Sequence, residues 1–159
     1  MQPNDILKKV AKQLDDKLEK ARYKTIVHGD AKVANFCFGK LSRVHNIDQG
    51  EQEKDANSIA VAGLDFQYCG NGVGVRDVAY FLGSVYTDDE LAICADECFD
   101  YYFAVLSAPA CVEEEWRSLI SVCFADFERF MRGWNPGGWK FHGRGHFVSR
   151  MIDTALMLL

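Results

Sequence analysis

Leu7, Val10, Ala11, Leu14, Leu18 and Ala21 recur at helical spacing, with Lys and Asp between them. This predicts an amphipathic helix over residues 5–22, with Asn4 or Asp5 able to cap its start. The pattern then shortens. Residues 24–27 read as a strand that runs into His28-Gly29-Asp30, residues 35–39 as a second strand, and Ile59 to Leu64 as a third that ends on Asp65. Residues 40–57 are polar and charged, which predicts a solvated hairpin loop or an insertion. Gly70, Gly72 and Gly74 predict a flexible loop. A helix is expected over 77–86 through Val78, Ala79, Phe81 and Leu82. Thr87 and Glu90 form a capping box for the next helix. That helix runs to about Leu106, with Leu91, Cys94, Ala95, Cys98, Tyr102 and Leu106 on its buried face. Residues 112–132 read as another helix. Glu113, Glu114 and Glu115 suit its positive N-terminal end, and Arg129 and Arg132 suit its C-terminal end. Gly133 is placed to stop it. An aromatic, Gly-rich loop over 134–145 and a last helix over 146–158 complete the chain. The expected fold class is α+β, mainly helical, with a small sheet near the N-terminal third and no internal repeat.

Composition narrows the function classes. At 159 residues the chain suits one domain that buries roughly 68–70% of its unfolded surface. A net charge of −5 argues against generic nucleic-acid binding, which needs Lys and Arg to neutralise phosphates. A phosphate-bearing ligand would need local cations or a metal, because the overall field repels it. No apolar run approaches the roughly 18 residues of a membrane span. No signal-peptide pattern follows Met1. Cys37, Cys69, Cys94, Cys98, Cys111 and Cys123 sit in apolar surroundings without CxxC pairs. They read as reduced core thiols of a cytoplasmic protein. Cys94 and Cys98 share an i,i+4 spacing, as do His142 and His146. The His pair lies among Gly143 and Gly145 and lacks zinc-finger spacing, so a zinc site is not expected.

The chemistry concentrates at the two strand ends. An apolar run delivers His28-Gly29-Asp30, Asn35 follows five residues later, and a second apolar run ends at Asp65-Phe66-Gln67. Phosphoryl transfer from a nucleotide needs a carboxylate near the acceptor hydroxyl and oxygen ligands for magnesium. Asp30, Asn35 and Asp65 are of those types, in that order. An Asp at a strand end is by itself a common turn former, Asn35 alone suits a turn, and Lys32 alone suits the solvated surface. Asp77, ahead of an apolar helix, is first of all an N-cap or first-turn acid.

Taken together, His28-Gly29-Asp30 with Asn35, then Asp65-Phe66-Gln67, then Arg76-Asp77-Val78-Ala79-Tyr80-Phe81-Leu82, resemble the kinase fold of aminoglycoside phosphotransferases, choline kinases and their ecdysteroid-kinase-like relatives. The resemblance covers about residues 5–86. It implies Asp30 as catalytic base or hydroxyl-orienting carboxylate, and Lys32 as a contact of the transferring phosphate. It implies Asn35 and Asp65 as magnesium ligands, with Asp65 bridging metal to nucleotide phosphates. His28 and Asp77 would brace the turn, and Gly29 would permit its tight backbone. Mg2+ and ATP are the implied cofactors, and a small molecule bearing a hydroxyl is the implied acceptor.

The resemblance is to a C-terminal lobe alone, with a catalytic core at about 24–86 and a helical subdomain at about 87–159. Residues 1–4 carry neither a nucleotide-covering loop nor a phosphate-pairing lysine, so an N-terminal nucleotide lobe is expected to be absent. Gly70-Asn71-Gly72-Val73-Gly74 fits neither G-x-G-x-x-G nor a P-loop and by its place in order resembles a short activation-type loop. An exposed inter-lobe face then implies docking of the missing lobe or self-association. The alternative function is a truncated, catalytically incomplete kinase-like binding module. A magnesium-dependent phosphohydrolase built on the two Asp would need further carboxylates. Trp134, Trp139 and Phe141 either line an acceptor pocket or pack back on the helices. The acidic run at 113–115 either is a solvated helix start or attracts a cationic acceptor.

Overall fold

The computed structural model describes residues 3–40, 59–134 and 145–159. Among them the chain is α+β and mostly helical. The helices are α1 (Pro3–Lys9), α2 (Ala11–Glu19), α3 (Gly74–Val85), α4 (Asp88–Leu106), α5 (Ala110–Trp134) and α6 (His146–Met157). The strands are β1 (Thr25–Val27), β2 (Phe36–Lys40), β3 (Ile59–Gly63) and β4 (Gly70–Gly72). The polar stretch after residue 40 lies outside the described residues, as do Trp139, Phe141 and His142.

The centre of the molecule is α5. It packs against α1, α2, α3 and α6, while α4 covers α3 and α6. The core runs from Leu7 and Leu14 through Leu91, Phe99 and Phe124 to Phe147 and Ala155. Phe124 is 1% exposed and meets Phe99 and Phe147 edge-on at 6.2 and 5.2 Å between centroids. Burial of this kind stabilises by roughly 25 cal/mol per Å² of apolar surface. No helix among the described residues is long and apolar enough to cross a membrane.

Several expectations change at this level. The single helix over 5–22 is two, interrupted at Val10, whose ψ is 7°. Hydrogen bonds still cross the break, from Val10 N–H to the Ile6 carbonyl and from Leu14 N–H to the Val10 carbonyl. The helix also ends early. The N–H groups of Arg22 and Tyr23 donate to the two oxygens of Glu115, both at 2.9 Å, and the indole N–H of Trp116 donates to the Tyr23 carbonyl. A tertiary carboxylate therefore takes donors that a longer helix would have used, and it aims the chain into β1.

The three expected strands do not join into one sheet. β2 pairs antiparallel with β3, Phe38 opposite Val61, and β1 pairs antiparallel with β4, Val27 opposite Gly70. Residues 70–74 are thus not a flexible loop but a strand and the start of α3. Their glycines serve close approach. A Cβ on Gly72 would lie 3.0 Å from the Val27 side chain, and one on Gly74 would lie 2.3 Å from the Tyr102 hydroxyl.

On α4 the buried stripe is Leu91, Ala95, Phe99 and Phe103, whereas Cys94, Cys98 and Tyr102 are half-buried and Leu106 is exposed. The two phenylalanines win the core face because they bury more apolar area than the cysteines. The capping box forms as expected, Glu90 N–H donating to Thr87 and Thr87 N–H to Glu90. α5 does not stop at Gly133 but continues through Trp134. Met131, two residues before the glycine, packs on Ala31, Tyr80 and Phe127, and Trp134, the residue past it, is 70% exposed. At the start of α6, the N–H groups of Phe147 and Val148 donate to Asp88 of α4 at 3.0 and 2.9 Å. One helix thus caps another.

Candidate active site

β1 ends at Val27, and the chain turns through His28, Gly29 and Asp30. Gly29 has φ +81°, and a Cβ there would fall 2.2 Å from the Tyr68 carbonyl oxygen. The turn therefore needs glycine for both conformation and space. Asp77, in the first turn of α3, accepts from the N–H groups of His28 at 2.6 Å and Gly29 at 3.0 Å. Hydrogen bonds to a charged acceptor are among the stronger ones, so a carboxylate fixes the turn's backbone from below.

His28 ties this turn to the end of β3. Its Nδ1 accepts from the Asp30 N–H at 3.3 Å, and its Nε2 lies 2.7 Å from the Leu64 carbonyl oxygen. The pair of contacts takes the tautomer with hydrogen on Nε2. The ring also packs on Phe66 and Phe36, at 4.8 and 5.6 Å between centroids. The Leu64 N–H in turn donates to the Asn35 carbonyl at 2.8 Å. Both sides of the Leu64 backbone are thus held by the turn, one residue before Asp65.

Asp30 faces a cation and an amide. Lys32 Nζ donates to its Oδ2 at 2.7 Å, and Asn35 Nδ2 donates to the same oxygen at 3.0 Å and to the Asp30 carbonyl at 2.8 Å. Asn35 is buried, whereas the Lys32 side chain is 40% exposed and that of Asp30 is 14% exposed. A short 3₁₀ turn over Val33–Asn35 carries the amide into place. The Val33 N–H donates to the Ser84 hydroxyl at 2.7 Å, a second anchor on α3. Both bonds from Asn35 to Asp30 use Nδ2, which leaves the amide oxygen as the atom on offer to a cation.

Asp65 sits in the left-handed region, φ 60° and ψ 59°. Asp tolerates this better than most residues, and non-glycine residues held there cluster at functional sites. Its carboxylate is exposed, and Gln67 Nε2 donates to it at 3.4 Å. Hydrogen bonds therefore join His28, Asp30, Lys32, Asn35 and Asp77 directly, and Asp65 follows from the tethered Leu64. Among the described residues, no three or more His, Cys, Asp or Glu side chains gather as a metal cage. Magnesium keeps several waters and needs few protein ligands, so one amide oxygen and one carboxylate of this set are chemically suited to hold it.

Two of the expected acceptor contacts have definite surroundings. Trp134 is 70% exposed, and Lys32 Nζ lies 5.9 Å from its ring centroid. Of the acidic run, Glu113 pairs with Arg117, and Glu115 is the acceptor for Arg22 and Tyr23. Beside the turn, a cleft of about 620 Å³ opens between the β2–β3 hairpin and α3, walled by Phe36, Phe38, Val61, Phe66 and Phe81.

Sequence reasoning missed Ser84 and Asp126. Ser84 left no signal, since a serine in a helix is ordinary. Asp126 left one, as the single acid in the run Leu119–Phe127. It is 2% exposed and accepts from Arg76, Tyr80 and Arg129. Burial first, and the neighbouring Asp126 charge second, push the Tyr80 phenol and the Cys123 thiol well above their ordinary values. Compared with family models, with curated proteins and with solved structures, the chain gives no match.

Proposed function

We propose that this chain acts as the catalytic lobe of an ATP-dependent phosphotransferase whose acceptor is a hydroxyl on a small molecule. One observation carries the reading: a carboxylate, an ammonium and an amide (Asp30, Lys32 and Asn35) share one braced turn beside the tethered approach to Asp65. Phosphoryl transfer asks the protein mainly for positioning and charge stabilisation. Asp30 accepts the proton of the acceptor hydroxyl as its oxygen bonds to the γ-phosphorus. The bond from that phosphorus to the β–γ bridging oxygen breaks, and ADP leaves. Lys32 exchanges its contact with Asp30 for the transferred group and supplies the local cation that a chain of net charge −5 needs. Asn35 and Asp65 are the residues that would hold magnesium, whose chemistry is to neutralise phosphate charge. His28 and Asp77 keep the turn in register.

General-base help is typically worth 10²–10⁴-fold. Asp30→Asn is therefore expected to cut phosphoryl transfer by about that factor while thermal unfolding stays unchanged. A rise in melting temperature with Mg·ATP is expected for the native chain and not for Asp65→Ala. Full transfer by Asp30→Asn would sink the proposal.

The exposed apolar side chains of the hairpin face favour a second reading, a kinase-like binding module without catalysis. Phe38, Ile59, Val61 and Phe66 are each more than half exposed, and contiguous patches of this kind mark interaction surfaces. Self-association, or a strong signal from an apolar fluorescent probe, would support it. A monomer that leaves the probe dark counts against it.

A further inference from the structure

Asp126 lies on α5 and makes no hydrogen bond to the His28–Asn35 turn, yet its bonds divide in a way that bears on that turn. Its Oδ1 is taken within α5 by Arg129, through Nε at 2.9 Å and Nη2 at 2.7 Å. Its Oδ2 is given to α3. Arg76 Nη2 donates to it at 3.3 Å and the Tyr80 hydroxyl at 3.1 Å. Arg76 and Tyr80 are one helical turn apart, and Asp77 lies between them. Asp77 is the residue whose oxygens take the N–H groups of His28 and Gly29.

We propose that Asp126 is a positioning residue: through Arg76 and Tyr80 it sets the α3 turn that carries Asp77, and so holds the backbone on which Asp30 is mounted. This rests on the phosphotransferase reading only for its catalytic consequence.

Three observations support it. Asp126 is 2% exposed, and a buried carboxylate is retained only where donors compensate its lost hydration. Arg129 alone supplies two such donors on one oxygen, so a purely local role for Asp126 does not require the two from α3. The same stretch of α5 touches the turn by packing as well. Phe127 stacks on Tyr80 at 4.7 Å between centroids, and Tyr80 and Phe127 share a small cluster with Ala31, the residue after Asp30. A Cβ on Gly83 would lie 2.6 Å from the Phe127 ring, so α3 and α5 meet there too closely to slide.

The test is amide hydrogen exchange in the full chain. His28 and Gly29 report on the turn. Phe147 and Val148, which donate to Asp88, report on the helical body. Asp126→Asn removes the charge and leaves one acceptor oxygen for donors that now share two, so Arg129 and the α3 pair can no longer both be satisfied. It is expected to speed exchange at His28 and Gly29 by tenfold or more, as is Asp77→Asn, with Phe147 and Val148 unchanged. Tyr80→Phe removes one donor and keeps the ring packing, so a smaller acceleration of the same two amides is expected. Tyr80→Phe decides the matter if Asp126→Asn does not fold. Unchanged exchange at His28 and Gly29, or acceleration in step with Phe147 and Val148, overturns the proposal. In an active preparation, Tyr80→Phe should lower kcat while leaving KM for ATP in place. Failure to find phosphoryl transfer would remove that last readout and leave the exchange result standing.

Discussion

Phe124 and His28 illustrate two ways of holding a ring. Phe124 is enclosed by other rings on α4 and α6 and is 1% exposed. His28 is half-buried and is fixed by directional bonds to Asp30, Leu64 and Asp77. The helical body around α5 is thus held by area, and the turn face is held by named donors and acceptors. Area is forgiving of detail and sensitive to volume. Directional bonds are the reverse. A face that must present a carboxylate, an ammonium and an amide at fixed distances needs the second kind, and a scaffold needs the first.

The largest way to sharpen this contrast is Phe124→Ala. Truncating a buried Phe typically costs about 3–5 kcal/mol. Chemical denaturation should show a loss of that size, while the His28 and Gly29 amides of the remaining folded fraction keep their protection against local opening. Loss of that protection in step with global stability would show that the two regions are one cooperative unit.

Gly29→Ala attacks the other side. The left-handed conformation costs a non-glycine residue about 1–2 kcal/mol, and the new methyl would sit 2.2 Å from the Tyr68 carbonyl oxygen. The turn must move, so if the chain is the phosphotransferase proposed above, its activity should fall far more than the melting temperature does. Proportionate losses of activity and stability would break the comparison, because the turn would then be as tolerant as the body.

The smallest expected effect is with pH, and it belongs to the body. The Cys123 thiol and the Tyr80 phenol both bind their protons more tightly in the fold than in the unfolded chain, where they titrate near 9 and 10. The sign follows from linkage. Their contribution is fully present below those unfolded values and is lost as pH rises through them towards the raised folded ones. Unfolding monitored from pH 7 to 11 should show constant stability up to about pH 9 and a decline above it. The Cys98 thiol is raised as well, by burial first, so Cys123→Ala should make the decline above about pH 9 shallower without abolishing it. A decline of the same steepness in both proteins would exclude Cys123 as a source.

Much of this was readable along the chain. Helices expected at 77–86, from the Thr87–Glu90 box to about 106, at 112–132 and at 146–158 are found at 74–85, 88–106, 110–134 and 146–157. They were legible in place, though not in their ends, because apolar periodicity and local signals such as the Thr87–Glu90 box act within a turn or two. Asp30, Asn35 and Asp65 were legible by type and order, and His28, Lys32 and Asp77 only through the resemblance; the fold joins His28, Asp30, Lys32, Asn35 and Asp77 by hydrogen bonds. Their functional meaning rests on the proposal above.

What a linear reading could not reach depends on groups far apart in sequence. The break after Glu19 follows from Glu115, more than ninety residues on. The pairing of Gly70–Gly72 with β1 depends on how closely two backbones approach, and glycine's lack of a side chain reads equally well as looseness or as contact. Composition and period decide which segments are helix or strand, since those are near-neighbour effects. Which donor meets which carboxylate, and so which turn is rigid enough to hold Asp30, is decided only when α3 and α5 close on each other, because a hydrogen bond requires both partners within about 3 Å.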